Sequence, residues 1–151
     1  MDRRALSDAD CPFTFMSERI TQAQRSRIMA AVRSRDTRPE MTVRRLVHAL
    51  GYRFRLHRRD LPGTPDIVLP KLRKIINVNG CFWHMHTCRH GCLAPVKNAE
   101  FWNAKRTRTA ARDRRTVRQL RSAGWMVLII WECQMRDAQK LERRVATFLS
   151  Q

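Results

Sequence analysis

Two cysteines, two histidines and a Phe-Trp pair crowd the stretch VNGCFWHMHTC, residues 78–88. Three kinds of chemistry suit it: a metal knuckle, an aromatic wedge, or a catalytic loop whose histidine works on a substrate. Thiolates and imidazoles are the donors Zn²⁺ prefers, and a site closed by four protein ligands is structural. Cys81, His86 and Cys88 lie close together, and Cys133 follows a distant apolar run, so they suggest a Cys₃His set. His90 and Cys92 stand near enough to replace one member. Unliganded thiols in a basic loop are the plainer reading and a weaker one, because exposed reduced thiols are a liability. If His86 ligates metal, alternation along an extended loop aims His84 the same way. A turn instead frees His84 as a general base near neutral pH. Spacing leaves both open.

Asp66, in P-D-I-V, opens an apolar run. A carboxylate there is costly unless paired or bound to a cation, and Mg²⁺ needs only one or two carboxylates beside water and phosphate. Its plain reading is a turn residue. Glu40 has an equally plain role as capping-box partner of Thr37, yet it sits at the edge of a buried helix face. Adjacent aromatics such as Phe82 and Trp83 cannot both face inward on an extended loop, so one or both are expected exposed or inserted into a partner; DNA-binding proteins use such wedges between base steps. Lys105, Arg108, Arg112 and Arg115 recur at i, i+3, i+7, i+10 and form a cationic stripe suited to phosphates.

The elements that must hold these residues can be read from periodicity. Residues 1–18 show no period and read as an N-terminal arm, with one domain over 19–151. A helix is predicted over about 21–34 and a second from Thr37, where Thr37-x-x-Glu40 caps, Pro39 is tolerated in the first turn and Gly51 stops. Val43, Leu46, Val47 and Leu50 give its buried face. Short strands follow at 52–57, 66–69 and 74–78. A basic helix spans about 98–123, and the strand 125–131, apolar almost throughout, is expected to be central and covered on both faces. A last helix buries Leu141, Val145, Phe148 and Leu149. The order predicts an α/β fold: a sheet flanked by helices.

Composition narrows the partners. A formal charge of +18, from 31 Lys and Arg against 13 Asp and Glu, repels itself unless a polyanion is present, and nucleic acid is the first candidate. Apolar runs are too short to span a bilayer and no export pattern opens the chain, so a soluble, cytoplasmic protein is expected. Five cysteines, Cys11 among them, then favour metal ligation or free thiols over disulfides.

Taken together, RSRIM (25–29), DTRPE (36–40), LPGTPDIV (61–68), NGCFWHMHTC (79–88), EFW (100–102), RDRR (112–115) and GWMVLIIWEC (124–133) make the chain resemble the bacterial very-short-patch repair (Vsr) mismatch endonucleases over about residues 19–137. The resemblance implies a restriction-endonuclease-like fold, a mixed central sheet flanked by helices with a structural zinc site. It implies a nick 5′ to the thymine of a T·G mismatch left by deamination of 5-methylcytosine. By position, Asp66 would bind Mg²⁺ with the backbone carbonyl of Val78, His84 would activate water, and Glu40 would support the histidine or metal-bound water. Zinc would fall on Cys81, His86, Cys88 and Cys133. Phe82, Trp83 and Trp102 would intercalate from the major groove and Met29 from the minor groove. Asn79 stands where some members have a second histidine, and Val78 where threonine is familiar. Residues 90–92 (HGC) lengthen the knuckle.

Mismatched double-stranded DNA is the implied partner. Mismatch-repair proteins and monomeric action at the bacterial nucleoid are expectations of the same kind. Two rivals stand beside this reading: a restriction-type nuclease acting on matched DNA, and a non-catalytic zinc module that only binds DNA.

Overall fold

A computed structural model of the chain describes residues 35–93 and 98–151, with 21, 23, 24 and 27. Arg35–Gln151 forms one compact unit. The arm, most of the helix expected at 21–34, Cys11 and Met29 lie outside the described residues.

Helix α1 (Arg38–Ala49) starts where the capping signal stands. Thr37 Oγ1 accepts the Glu40 N–H at 3.4 Å and donates to Glu40 Oε1 at 3.0 Å, while Glu40 Oε2 accepts the Asp36 N–H at 3.0 Å. The box therefore closes one residue earlier than the standard pattern. Strands β1 (Arg55–Leu56), β2 (Ile67–Leu69), β3 (Lys74–Asn79) and β4 (Met126–Trp131) form one sheet in that order. The first two pairings are antiparallel, and β3 runs parallel to β4. A parallel pair needs a long crossover, and α2 (Ala99–Ser122) lies within it; α3 (Ala138–Ser150) closes the chain.

The strand expected at the centre is found elsewhere. Among the described residues β4 pairs only with β3 and ends the sheet. Its apolar character has another cause, because both its faces are covered. Val127, with Trp125 just before the strand, packs against Leu120 of α2, Val68 and Ile75. Ile130 joins Val43 and Val47 of α1 and Leu141, Val145 and Leu149 of α3. Helices thus cover both faces of a mixed sheet.

Three polar ties hold the layers in register. Lys74, only 3% exposed, donates through Nζ to Leu149 O at 3.0 Å, where the C-terminal end of α3 favours a cation. Gly63, at φ +74°, lies so close to α2 that a Cβ would come within 2.3 Å of Thr116 Cγ2. Arg106 of α2, also 3% exposed, donates to Phe82 O (2.8 Å), Leu93 O (2.9 Å) and Gly91 O (2.5 Å), with its guanidinium 4.4 Å from the Phe82 ring centroid. One planar fork clamps the whole cysteine loop to the helix.

A lysine cannot reproduce three divergent bonds. Arg106→Lys is expected to cost about 1–3 kcal/mol and Arg106→Ala more, since each strands buried carbonyls. Urea unfolding measures this; an unchanged midpoint for Arg106→Ala would remove the clamp from the account.

Candidate active site and metal centre

The chain leaving β3 turns at once. Gly80 O accepts the His84 N–H at 3.3 Å and Cys81 O accepts the His86 N–H at 3.0 Å. Met85 sits at φ +53°. The turn sends the two histidines to different neighbours. His84 Nδ1 lies 2.5 Å from Asp113 Oδ2 of α2. Burial raises the Asp113 carboxyl, but the His84 hydrogen bond and charge outweigh it and hold the group below the usual carboxylate range. Bonding at Nδ1 to an ionised carboxylate leaves Nε2 as the basic nitrogen.

Asp66 is half-buried just before β2, and its Oδ2 accepts the Val78 N–H at 2.8 Å. It is thereby tied to the residue whose carbonyl is expected at the metal. Burial is the largest influence on this carboxyl and pushes it above its usual range; Val78 N–H opposes, Glu40 adds to the rise, and His57 and Arg44 oppose again. Glu40, 4% exposed, is engaged by Thr37, the Asp36 N–H and Arg44, whose Nη2 lies 2.9 Å from Oε2. Asp66 and His84 both hang from the end of β3, one through Val78 and one through Gly80. A buried carboxyl reluctant to ionise gains from a divalent cation, and the all-oxygen surroundings suit a hard one. Asn77 Oδ1, one residue before Val78, is buried with no hydrogen-bond partner among the described residues, as expected beside a group that water or ion completes.

His86 goes the other way. With Cys81, Cys88 and Cys133 it offers donor atoms that all lie within 4.8 Å of one another. His86 Nδ1 is 3.6 Å from Cys133 Sγ, and Cys81 Sγ accepts the Cys133 N–H at 3.3 Å. Tetrahedral Zn²⁺ with its usual bond lengths sets donors roughly 3.3–3.8 Å apart, so the residues present fit it. Burial pushes the Cys81 thiol up to about 12. Burial also raises Cys88, yet the His86 ring, the Gly91 N–H, Cys81 and the His90 N–H bring it down to about 6. The lengthened knuckle depends on Gly91, where a Cβ would stand 1.9 Å from His86 O. Trp131 stacks on the His86 ring at 4.3 Å. The alternative ligands lie elsewhere: His90 meets Arg136 at 2.7 Å, and Cys92 is exposed outside the cluster.

Beside the turn the aromatics form a ribbon. Phe82 and Trp83 pack edge to face at 5.1 Å, Trp83 and Trp102 at 5.7 Å, and Trp102 and Phe101 at 5.2 Å. Phe82 and Trp83 are half-buried against one another, and Phe101 is 57% exposed. Lys105 Nζ lies 5.2 Å over Trp102. Lys105, Arg108, Arg112 and Arg115 are all exposed on α2. Sequence reasoning passed over Asp113, Phe101, Arg44 and His57. Asp113 had a signal, as the single acid between residues 101 and 122; Phe101 had one in EFW. Arg44 and His57 had none.

Known proteins bear on this geometry. A family model described as DNA mismatch endonuclease Vsr matches residues 17–90. The chain is 47% identical over 134 residues to a Type II nicking enzyme, V.XorIIP, of Xanthomonas oryzae pv. oryzae, covering 89% of this chain and 98% of that one. It is 39% identical over 132 residues to the DNA mismatch endonuclease Vsr of Escherichia coli, covering 87% and 84%, and 34% identical over 122 residues to the Type II nicking enzyme V.NmeAIP of Neisseria meningitidis, covering 81% and 86%. Among solved structures, the catalytic domain of the homing endonuclease I-Bth0305I superposes with a TM-score of 0.53 at 22% identity, over 75% of this chain and 94% of that one. That likeness is one of fold, and it is the restriction-endonuclease-like fold. With nearly half its residues shared with one relative across almost the whole of that protein, the chain belongs to the Vsr DNA mismatch endonuclease family.

Proposed function

We propose that this endonuclease nicks double-stranded DNA 5′ to the thymine of a T·G mismatch, the lesion left when 5-methylcytosine deaminates, using Mg²⁺ held at Asp66. The observation that carries the reading is the pairing of His84 with Asp113 at the same strand end that fixes Asp66. Asp66, the Val78 carbonyl and, through water, Glu40 would hold Mg²⁺. When bound, the ion neutralises charge building on the phosphate and on the leaving oxygen. His84 takes a proton from water at Nε2, and Asp113 steadies the imidazolium that forms. The water oxygen bonds to phosphorus as the bond from phosphorus to the 3′ oxygen breaks, leaving a 5′-phosphate and a 3′-hydroxyl. The aromatic ribbon, with Met29 from the opposite groove, enters the base stack at the mismatch, which is cheaper to unstack than a matched step. The exposed cations of α2 follow the phosphates. Zn²⁺ on Cys81, His86, Cys88 and Cys133 keeps the turn rigid.

The setting proposed is the bacterial cytoplasm, on nucleoid DNA, acting as a monomer with mismatch-repair proteins as partners. Among the described residues no helix is long and apolar enough to cross a membrane. A second reading, nicking at a sequence in matched duplex, draws on relatives named as Type II nicking enzymes.

Matched and T·G duplexes of identical flanking sequence, incubated with Mg²⁺, separate the two readings: a nick confined to the T·G duplex is expected, and equal nicking of both favours the second. His84→Ala is expected to abolish nicking while DNA binding survives, and Asp113→Asn to lower kcat about 10²-fold or more by releasing the imidazole. Full activity in His84→Ala would refute the catalytic assignment.

Asp66 yields a stability prediction with a definite sign. Its folded pKa lies above its unfolded one, so between the two values the folded state holds more protons than the unfolded state. Stability therefore falls as pH rises through that window and stays reduced above it. Asp66→Asn removes the charge and is expected to abolish nicking while melting at or above wild type at neutral pH without Mg²⁺. The difference should vanish below about pH 4. Calorimetry across pH tests this, and a variant markedly less stable at neutral pH contradicts it.

Cys88→Ala is expected to lose zinc and melt lower by on the order of 10 °C. Elemental analysis with a melt checks both. Retained stoichiometric zinc and an unchanged melt would overturn the structural-zinc assignment.

A further inference from the structure

Outside the zinc centre, Asp36, Glu40 and His57 form a second group with ligand atoms within 4.8 Å of one another. A cation already sits among them. Arg44, 7% exposed, places Nη1 2.5 Å from Asp36 Oδ1, and Nη2 2.9 Å from Glu40 Oε2 and 3.0 Å from His57 Nε2. A guanidinium has donors and no acceptor, so His57 Nε2 must present its lone pair to Arg44. Each atom that would ligate a metal ion is thus engaged by the same fork. Arg44 Nε is buried with no hydrogen-bond partner among the described residues, and Met41 Sδ, 3.5 Å from Nη1, is its remaining close neighbour. The group lies close enough to Asp66 for Glu40, His57 and Arg44 all to act on its charge.

We propose that Arg44 is a resident cation of this active site: its guanidinium fills, among Asp36, Glu40 and His57, the position a second divalent ion would take, and so positions Glu40 beside a single ion held by Asp66. This rests on the metal-dependent nuclease reading. The arrangement differs from a two-ion site in one chemical respect. A guanidinium keeps its charge at every accessible pH and brings no bound water, so Glu40 is held oriented and ionised without a second metal hydroxide. Arg44 is accordingly a positioning residue acting through Glu40. His57 is its third anchor and fixes the register of the segment just after β1.

The test counts Mn²⁺ by electron paramagnetic resonance in zinc-loaded protein held on a pre-nicked T·G duplex, with free duplex subtracted. One ion is expected for wild type and none for Asp66→Asn, because Arg44 still closes the other cluster. Arg44→Leu should gain a second ion, broadened by coupling to the first, while Arg44→Lys, which keeps the charge, stays at one. A second ion in wild type, or one remaining in Asp66→Asn, overturns the proposal even if Arg44→Leu fails to fold. So does a folded Arg44→Leu that gains none. Nicking is assayed on the same preparations: wild type that nicks yet holds two ions sinks the Arg44 inference alone, whereas wild type that never nicks any duplex takes the nuclease reading with it.

Discussion

The turn that follows β3 decides what every neighbouring residue can do. Within seven residues, from Gly80 to His86, the backbone folds back through the His84–Gly80 and His86–Cys81 hydrogen bonds. An extended path would have aimed both histidines one way, giving either a crowded metal site or no free base. The turn instead delivers His84 to Asp113 and His86 to Cys133. Proton transfer and metal ligation are carried out side by side because one reversal of direction separates them.

Such a turn needs external support, since its own hydrogen bonds are few and its side chains are large. Two devices supply it from opposite sides. Arg106 satisfies three carbonyls of the loop from α2, and the Cys₃His cluster joins the loop to the end of β4 through Cys133. A Zn²⁺ ion with three thiolates carries a net negative charge, which favours burial of a guanidinium nearby. The clasp and the clamp reinforce one another.

The active-site carboxylates show the opposite tendency. Asp66 is held where burial and Glu40 both disfavour its charge, so it weakens the fold in order to bind a cation. That sign distinguishes it from a capping or turn aspartate, whose hydrogen bonds would favour ionisation. Glu40 is treated differently, with Arg44 beside it, and the two acids accordingly play different parts. Around them the excess positive charge is spread along the exposed face of α2, where a phosphate backbone relieves the self-repulsion that the free protein bears.

Much of this was legible in the linear chain. Capping chemistry and apolar period located α1, α2, α3 and the strands, because those signals act within a few residues. The thiol and imidazole donors could be listed because metal ligation restricts residue types severely. What the chain alone left open was direction and neighbourhood. Whether His84 joined His86 depended on backbone angles in the turn. The place of β4 at the sheet end depended on pairing partners, since a strand covered on both faces reads alike at centre or edge. Asp113, Arg106, Arg44 and His57 take their roles from groups eight to twenty-nine residues away. Residue type and local period are properties of the sequence, but an electrostatic partner is chosen only when the tertiary fold brings distant charges within a few ångströms.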